Sequence, residues 1–211
     1  MLRIEDVSLT PAHLDHTAGL PLMVDTICAA RVGQPLRVHA LPHTLAALRQ
    51  HVFNDLIWPD FSRLPSAESP LVTFHPLEVG AVRHVHGRAI EALPAEHSIP
   101  AIGYAVRGPQ PDAPWWVFSG DTERNPAFWQ RINQLPVHSL VIETAFGNGE
   151  RELAHLARHL SPAVLADELD QIDCTRRYPI YITHTKPAET ETIMREIAQF
   201  DQVRPPRSDG A

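Results

Sequence analysis

Four short apolar runs, "LRVHAL" (36–41), "WWVFSG" (115–120), "SLVIET" (139–144) and "PIYITH" (179–184), constrain this chain more than any other feature. Apolar and β-branched residues dominate each run and turn formers bound it, which is the pattern of a buried strand. Between the runs the apolar period changes. Leu45, Leu48, Val52 and Leu56 recur at helical spacing, as do Phe128, Ile132 and Leu135, then Ala154, Ala157 and Leu160, and finally Ile193 and Ile197. From Leu71 to Val106 the chain alternates in the strand manner through "VRHVHGRAIEAL" and "AIGYAV". Strands and helices interleaved around a strand-rich centre predict an α/β layered architecture.

The chemically active residues fall where strands end. His13, Asp15 and His16 follow "EDVSLT", Asp121 follows "WVFSG", Glu143 closes "LVIE" and His184 closes "IYIT". In layered α/β folds ligands collect at such ends, because loops there present side chains from a rigid sheet.

With 211 residues and 44% hydrophobic content, the chain can bury one sizeable core. A single domain is expected over 1–204, followed by a disordered tail, "PPRSDGA" (205–211). The 20 prolines are close to twice the average share of about 5%, and stretches such as "PSAESP" and "GPQPDAP" mark loops. A net charge of -7 argues against broad nucleic-acid binding, since phosphate backbones are held by surplus Lys and Arg. Cys28 and Cys174 are too few for a disulfide framework and point to a reducing, cytoplasmic setting. No run of about 18 apolar residues is present, and "MLRIEDVSL" lacks the layout of a secretory signal, so no membrane partner is expected.

His13-x-Asp15-His16 offers imidazole and carboxylate donors from a single turn, the donor types that zinc and similar ions favour. The alternative is a polar turn in which Asp15 caps the helix begun by "TAGLPLMV".

"HLDHTAGL", "EHSIPAIGY", "FSGDT", "VIETAF", "ARHLSP" and "YITHTKP" stand in the order found in the metallo-β-lactamase superfamily. Over about residues 5–198 the set most resembles the class II 3',5'-cyclic nucleotide phosphodiesterases. The resemblance implies a metallo-β-lactamase-like αββα sandwich with a two-zinc site. By motif, His13 and His97 would bind the first ion, Asp15, His16 and His184 the second, and Asp121 would bridge them. Glu143 and His159 would form a carboxylate-imidazole pair that contacts the substrate phosphate or protonates the leaving oxygen, and Asp121, His159 and Glu143 are the catalytic candidates. Singly, each residue has a plainer reading as a loop, helix-start or strand-end residue. His39, His43, His51, His75, His84, His86, His138 and His155 match no ligand position and are read as structural, and Trp115 and Trp116 as core or rim.

Two departures qualify the resemblance. The family pattern is H-x-H-x-D-H, and its first histidine falls at position 11, where this chain has Pro11, which offers no donor. The first site is therefore expected to be weaker. Only "MLRIEDVSLT" precedes the motif, so the family's N-terminal strands are expected to be missing, exposing a sheet edge and apolar face for a partner, a second copy included. The function implied is metal-dependent hydrolysis of 3',5'-cyclic nucleotides to nucleoside 5'-monophosphates, weakened by Pro11. The alternatives are a ribonuclease Z-like nuclease, disfavoured by the acidic charge, and a degenerate metal-binding or interaction remnant.

Overall fold

The computed structural model describes residues 4–31 and 33–200. The expected tail, 205–211, lies outside them, as does the end of the expected domain.

Two sheets form. The smaller is all parallel, with Asp6–Ser8 (β1), Leu36–Ala40 (β2) and Val72–Pro76 (β5) in the order β1-β2-β5. Helices Leu14–Thr17 (α1), Gly19–Ile27 (α2) and Pro42–His51 (α3) connect its strands, and a two-stranded hairpin, Pro65–Ser66 (β3) with Ser69–Pro70 (β4), precedes β5. The proline-rich "PSAESP" is thus a tight hairpin rather than a plain loop.

The larger sheet has six strands: Val82–Val85 (β6), Arg88–Ala95 (β7), Ala101–Arg107 (β8), Trp115–Phe118 (β9), Val137–Glu143 (β10) and Ile180–Thr183 (β11). Sequence neighbours are also spatial neighbours. The pairs β6-β7, β7-β8 and β8-β9 are antiparallel, whereas β9-β10 and β10-β11 are parallel. Parallel pairing needs crossovers, supplied by Pro126–Ile132 (α4) in one case and by Arg151–Ala157 (α5) with Pro162–Leu169 (α6) in the other. Thr190–Ala198 (α7) follows β11.

Strand alternation sorts the side chains into layers. Leu93, Ala105, Val117, Leu140 and Ile142 meet Phe128, Trp129 and Ile132 of α4 and Leu165 of α6 in one core. Leu36, Val38, Ala40 and Val72 meet Leu20 and Val24 of α2 and Leu45 and Leu48 of α3 in another. Ala92, Ile102 and Tyr104, on the opposite face of the larger sheet, pack with Leu77 and Leu41 in a third. The layers therefore run helix, sheet, sheet, helix.

The seam between the sheets is partly polar. Tyr104 donates its hydroxyl to the Leu9 carbonyl at 2.7 Å, and Arg83 on β6 reaches Ser8 on β1. Asp6, Arg37, His39, Thr73 and His75 alternate with the apolar residues of the smaller sheet, so its inner face is hydrophilic along these positions. Asp6 accepts from Arg37 at 2.9 and 2.6 Å and faces His39 Nε2 at 2.7 Å. Arg37, and with it His39, hold the Asp6 carboxyl well below the usual carboxylate range, against its burial.

Three helical expectations end early, among them the Phe128, Ile132 and Leu135 pattern, whose Leu135 lies beyond the end of α4 at Ile132. Leu56 lies beyond α3 and is 85% exposed, because Asn54 Oδ1 accepts the N–H groups of Leu56 and Ile57 and Asp55 adopts a φ of 62°. Leu160 lies beyond α5, which stops at Arg158 in the left-handed region, yet Leu160 still packs in the α4 core. Trp115 is core and Trp116 is exposed rim.

Candidate metal centre

Six segment ends converge. The turn after β1 opens α1 with His13, Asp15 and His16; the β7–β8 loop brings His97; the loop after β9 brings Asp121; the end of β10 brings Glu143; the turn after α5 brings His159; and the end of β11 brings His184. Gly120, with φ 65°, makes the turn into Asp121, where an added Cβ would stand 2.5 Å from the Ile102 carbonyl. His184 itself adopts φ 62°, sparsely populated for a side-chain-bearing residue, so the chain leaves β11 through a strained turn at the site.

Donor atoms form three overlapping groups: His13, His97 and Asp121; Asp15, His16 and His184; and Asp121, His159 and His184, each within 4.8 Å of one another. His13 Nδ1 is 3.1 Å from His97 Nε2, and His97 Nε2 is 3.8 Å from Asp121 Oδ2. Asp121 Oδ2 also lies 2.9 Å from His16 Nε2 and 3.6 Å from His184 Nε2. Asp15 Oδ2 is 3.7 Å from His16 Nε2 and 3.9 Å from His184 Nε2. Donors around a four-coordinate ion with bonds of about 2.0–2.1 Å stand roughly 3.3 Å apart, so these separations suit a shared cation.

The unused hydrogen-bonding capacity points the same way. His16 Nε2 is buried without a hydrogen-bond partner, being misaligned to donate to Asp121 despite their proximity, while its Nδ1 is held by Thr10 Oγ1 at 3.2 Å. His97 Nδ1 is engaged by the Arg158 carbonyl at 3.0 Å, and His159 Nδ1 by Glu143 Oε1 at 2.7 Å. His16, His97 and His159 thus each spend one nitrogen on an outer partner and turn the other toward the cluster, the arrangement seen around metal-ligating histidines.

Burial lowers the proton affinity of His13, His97, His159 and His184, favouring the neutral imidazole that a metal requires. Burial also opposes charge on His16, but Asp121 outweighs it and shifts His16 upward. For Asp121, burial works against ionisation, and His16 with the surrounding imidazoles overcomes it, leaving the carboxyl below its ordinary range. Glu143 is fully enclosed, and burial drives its carboxyl upward against the N–H groups of Thr122 and Leu160.

All eight residues selected from the sequence therefore stand together. Of the histidines read as structural, His39 and His75 pack ring to ring at 4.9 Å in the sheet seam, His155 pairs with Glu123, and His86 lies near Glu5 and Asp6 in a separate group. Sequence reasoning missed Thr10, the Arg158 carbonyl and Lys186. The first two act through local conformation, which spacing does not reveal. Lys186 was visible within "YITHTKP", but nothing in its type or position assigned it a task.

Fold and comparisons converge on the metallo-β-lactamase fold. The structure matches the metallo-β-lactamase fold protein YhfI from Bacillus subtilis with a TM-score of 0.68 at 10% identity, covering 95% of this chain and 71% of that one. Human tRNase Z, short form, matches with a TM-score of 0.61 at 17% identity, over 90% of this chain and 75% of that one. Residues 2–102 match the family model of class-II cAMP phosphodiesterases. Over 76 residues, 36% of this chain and 21% of the relative, the sequence is 40% identical to 3',5'-cyclic-nucleotide phosphodiesterase 1 of Saccharomyces cerevisiae. The crystal structure of unliganded yeast PDE1 superposes with a TM-score of 0.82 at 22% identity, covering 96% of this chain and 64% of that one. The chain thus has the metallo-β-lactamase fold, its residues 2–102 are similar to the class-II cAMP phosphodiesterases, and it spans under two thirds of the yeast chain.

Proposed function

We propose that the chain hydrolyses 3',5'-cyclic nucleotides to nucleoside 5'-monophosphates with zinc as its metal. The observation that carries this reading is the meeting of two donor groups, His13 with His97 and Asp15 with His16 and His184, on the single carboxylate of Asp121. The class-II similarity supplies the substrate class. When bound, the metal would lower the pKa of water and neutralise phosphate charge.

The chain's own residues supply the rest. Asp15, His16, His184 and Asp121 would hold the more complete site, whereas His13 and His97, with Asp121, would hold the site that Pro11 leaves short of a donor. Water adds to phosphorus and the P–O3' bond breaks, so the departing O3' must gain a proton. His159 can carry that proton at Nε2, because Glu143 keeps its Nδ1 occupied and fixes the ring. Thr122 N–H and Leu160 N–H in turn hold Glu143. The side chain of Asp15 is 57% exposed, so the cluster opens to substrate on that side.

Cyclic AMP hydrolysis by zinc-supplemented protein tests the reading, with bound metal counted in the same samples. Asp121→Ala should abolish hydrolysis and release metal. His159→Ala should keep metal and lose roughly 10²- to 10⁴-fold in rate, the usual contribution of proton transfer. A parent protein that binds zinc but leaves cyclic AMP intact would remove the proposed activity.

A further inference from the structure

The described residues place one lysine at the wall of the cluster without a carboxylate to pair with it. Lys186 is half-buried two residues after His184, and its backbone N–H donates to the Ala145 carbonyl at 3.1 Å, tying the β11 end to the loop after β10. Its Nζ sits 5.7 Å from the centroid of the Phe146 ring. Phe146 lies 5.8 Å from the His159 ring, which stacks on His184 at 5.2 Å and 27°. The nearby glutamates are directed elsewhere: Glu196 accepts from the Asn148 N–H at 2.9 Å, and Glu189 lies against Gly147. Among the described residues no carboxylate comes within ion-pairing distance of Lys186.

In a chain with 18 basic and 25 acidic residues, a cation without a carboxylate beside the imidazole cluster suits a visiting anion. An ammonium over an aromatic face gains only about 0.5–1 kcal/mol when partly exposed, less than a charged hydrogen bond would give. The ammonium nevertheless stands near enough to the rings of His16, His159 and His184 to act on them electrostatically.

We propose that Lys186 binds a non-bridging oxygen of the substrate phosphate, with the Phe146 ring holding the ammonium at the site wall. The proposal deepens the phosphodiesterase reading and rests on it. Lys186 then selects for an anionic phosphodiester over a neutral ester, because a point charge in a partly desolvated wall discriminates charge more strongly than shape.

The test uses zinc-loaded full chain, inorganic phosphate as the probe in calorimetric titration, and cyclic AMP turnover in parallel. Lys186→Met keeps the length and apolar stem, and Lys186→Gln serves if Met disturbs folding. Either should weaken phosphate binding by at least about tenfold, about 1.4 kcal/mol, and raise KM more than it lowers kcat, with zinc content and melting temperature near the parent values. Lys186→Arg should stay within about threefold. Phosphate affinity within twofold of the parent in Lys186→Met and Lys186→Gln overturns the assignment, as does a parent that binds no phosphate. If the parent binds phosphate but does not turn over cyclic AMP, the proposed activity fails, while loss of phosphate binding in the variants still upholds Lys186 as an anion site.

Discussion

Pro11 is the residue whose replacement separates the structural requirements of this site most cleanly. It is buried immediately after Thr10, whose hydroxyl holds His16, and two residues before His13, whose Nδ1 faces His97. Proline has no donor atom and fixes φ near -65°, so it restrains the turn while contributing nothing to a cation. His13, His97 and Asp121 can still make a three-donor site, but the group formed by Asp15, His16 and His184 gains Asp121 as a fourth. Pro11→His should therefore raise bound zinc from near one toward two per chain and increase cyclic AMP hydrolysis by at least about tenfold, equivalent to roughly 1.4 kcal/mol. Metal analysis and turnover on the same preparation check it. A chain that already holds two ions tightly would show that residue 11 is dispensable, and unchanged occupancy in the variant would show that its side chain does not reach the cluster.

At the scale of elements, strand ends present the site and the seam between the sheets holds those ends in place. The four apolar runs read from sequence are β2, β9, β10 and β11, each bounded by turn formers; β2 and β10 are buried on both faces for part of their length, whereas β9 buries one face and the edge strand β11, expected to be buried, is intermediate to exposed. Helix ends were less legible, because α3 and α5 stop at left-handed or Asx-type turns that periodicity does not register. The hydrophilic inner face of the smaller sheet was illegible for a different reason: a strand pattern such as "LRVHAL" shows alternation without showing what the polar side faces. There it faces the other sheet, and Asp6 organises it. The side chain of Asp6 is 9% exposed and engages Arg37 and His39. Asp6→Asn should reduce unfolding free energy by about 1–2 kcal/mol at pH 7, since a buried carboxylate loses its charge while its partner Arg37, with a 40% exposed side chain, is partly screened by solvent. The folded-state pKa of Asp6 is depressed, so its contribution is complete above the unfolded value of about 3.9 and fades as pH falls through the window below it. Urea unfolding should accordingly separate parent from variant at neutral pH and bring them together in acid; a constant difference at all pH values would assign Asp6 a purely steric role.

Across the whole molecule, the candidate centre joins the two halves of the sandwich. His13, Asp15 and His16 come from the smaller sheet, whereas His97, Asp121 and His184 come from loops and ends of the larger one. Position at strand ends disclosed all of these residues but His97, which only the resemblance of "EHSIPAIGY" to the family motif supplied, and their meeting at Asp121 depended on the long-range packing that places both sheets face to face. A cation bound there would connect segments that otherwise touch mainly through Tyr104 to Leu9, Arg83 to Ser8 and the Leu77 cluster. It would also offset the burial of the Asp121 carboxylate, whose side chain is 3% exposed. Binding to the folded chain alone stabilises by about 2.7 kcal/mol at a free-metal concentration one hundred times Kd. For a chain of this size each kcal/mol moves Tm by about 2–4 °C, so zinc should raise Tm by roughly 5–10 °C. Treatment with chelator should lower it by the same amount, and zinc should restore it. Asp121→Ala removes the carboxylate shared by both donor groups, so its Tm should respond to zinc by less than about 2 °C. Thermal denaturation followed by circular dichroism, with and without zinc, measures both quantities. Equal shifts in parent and Asp121→Ala would locate the stabilising metal elsewhere on the chain, and no shift in the parent would mean that the assembled donors do not select a cation.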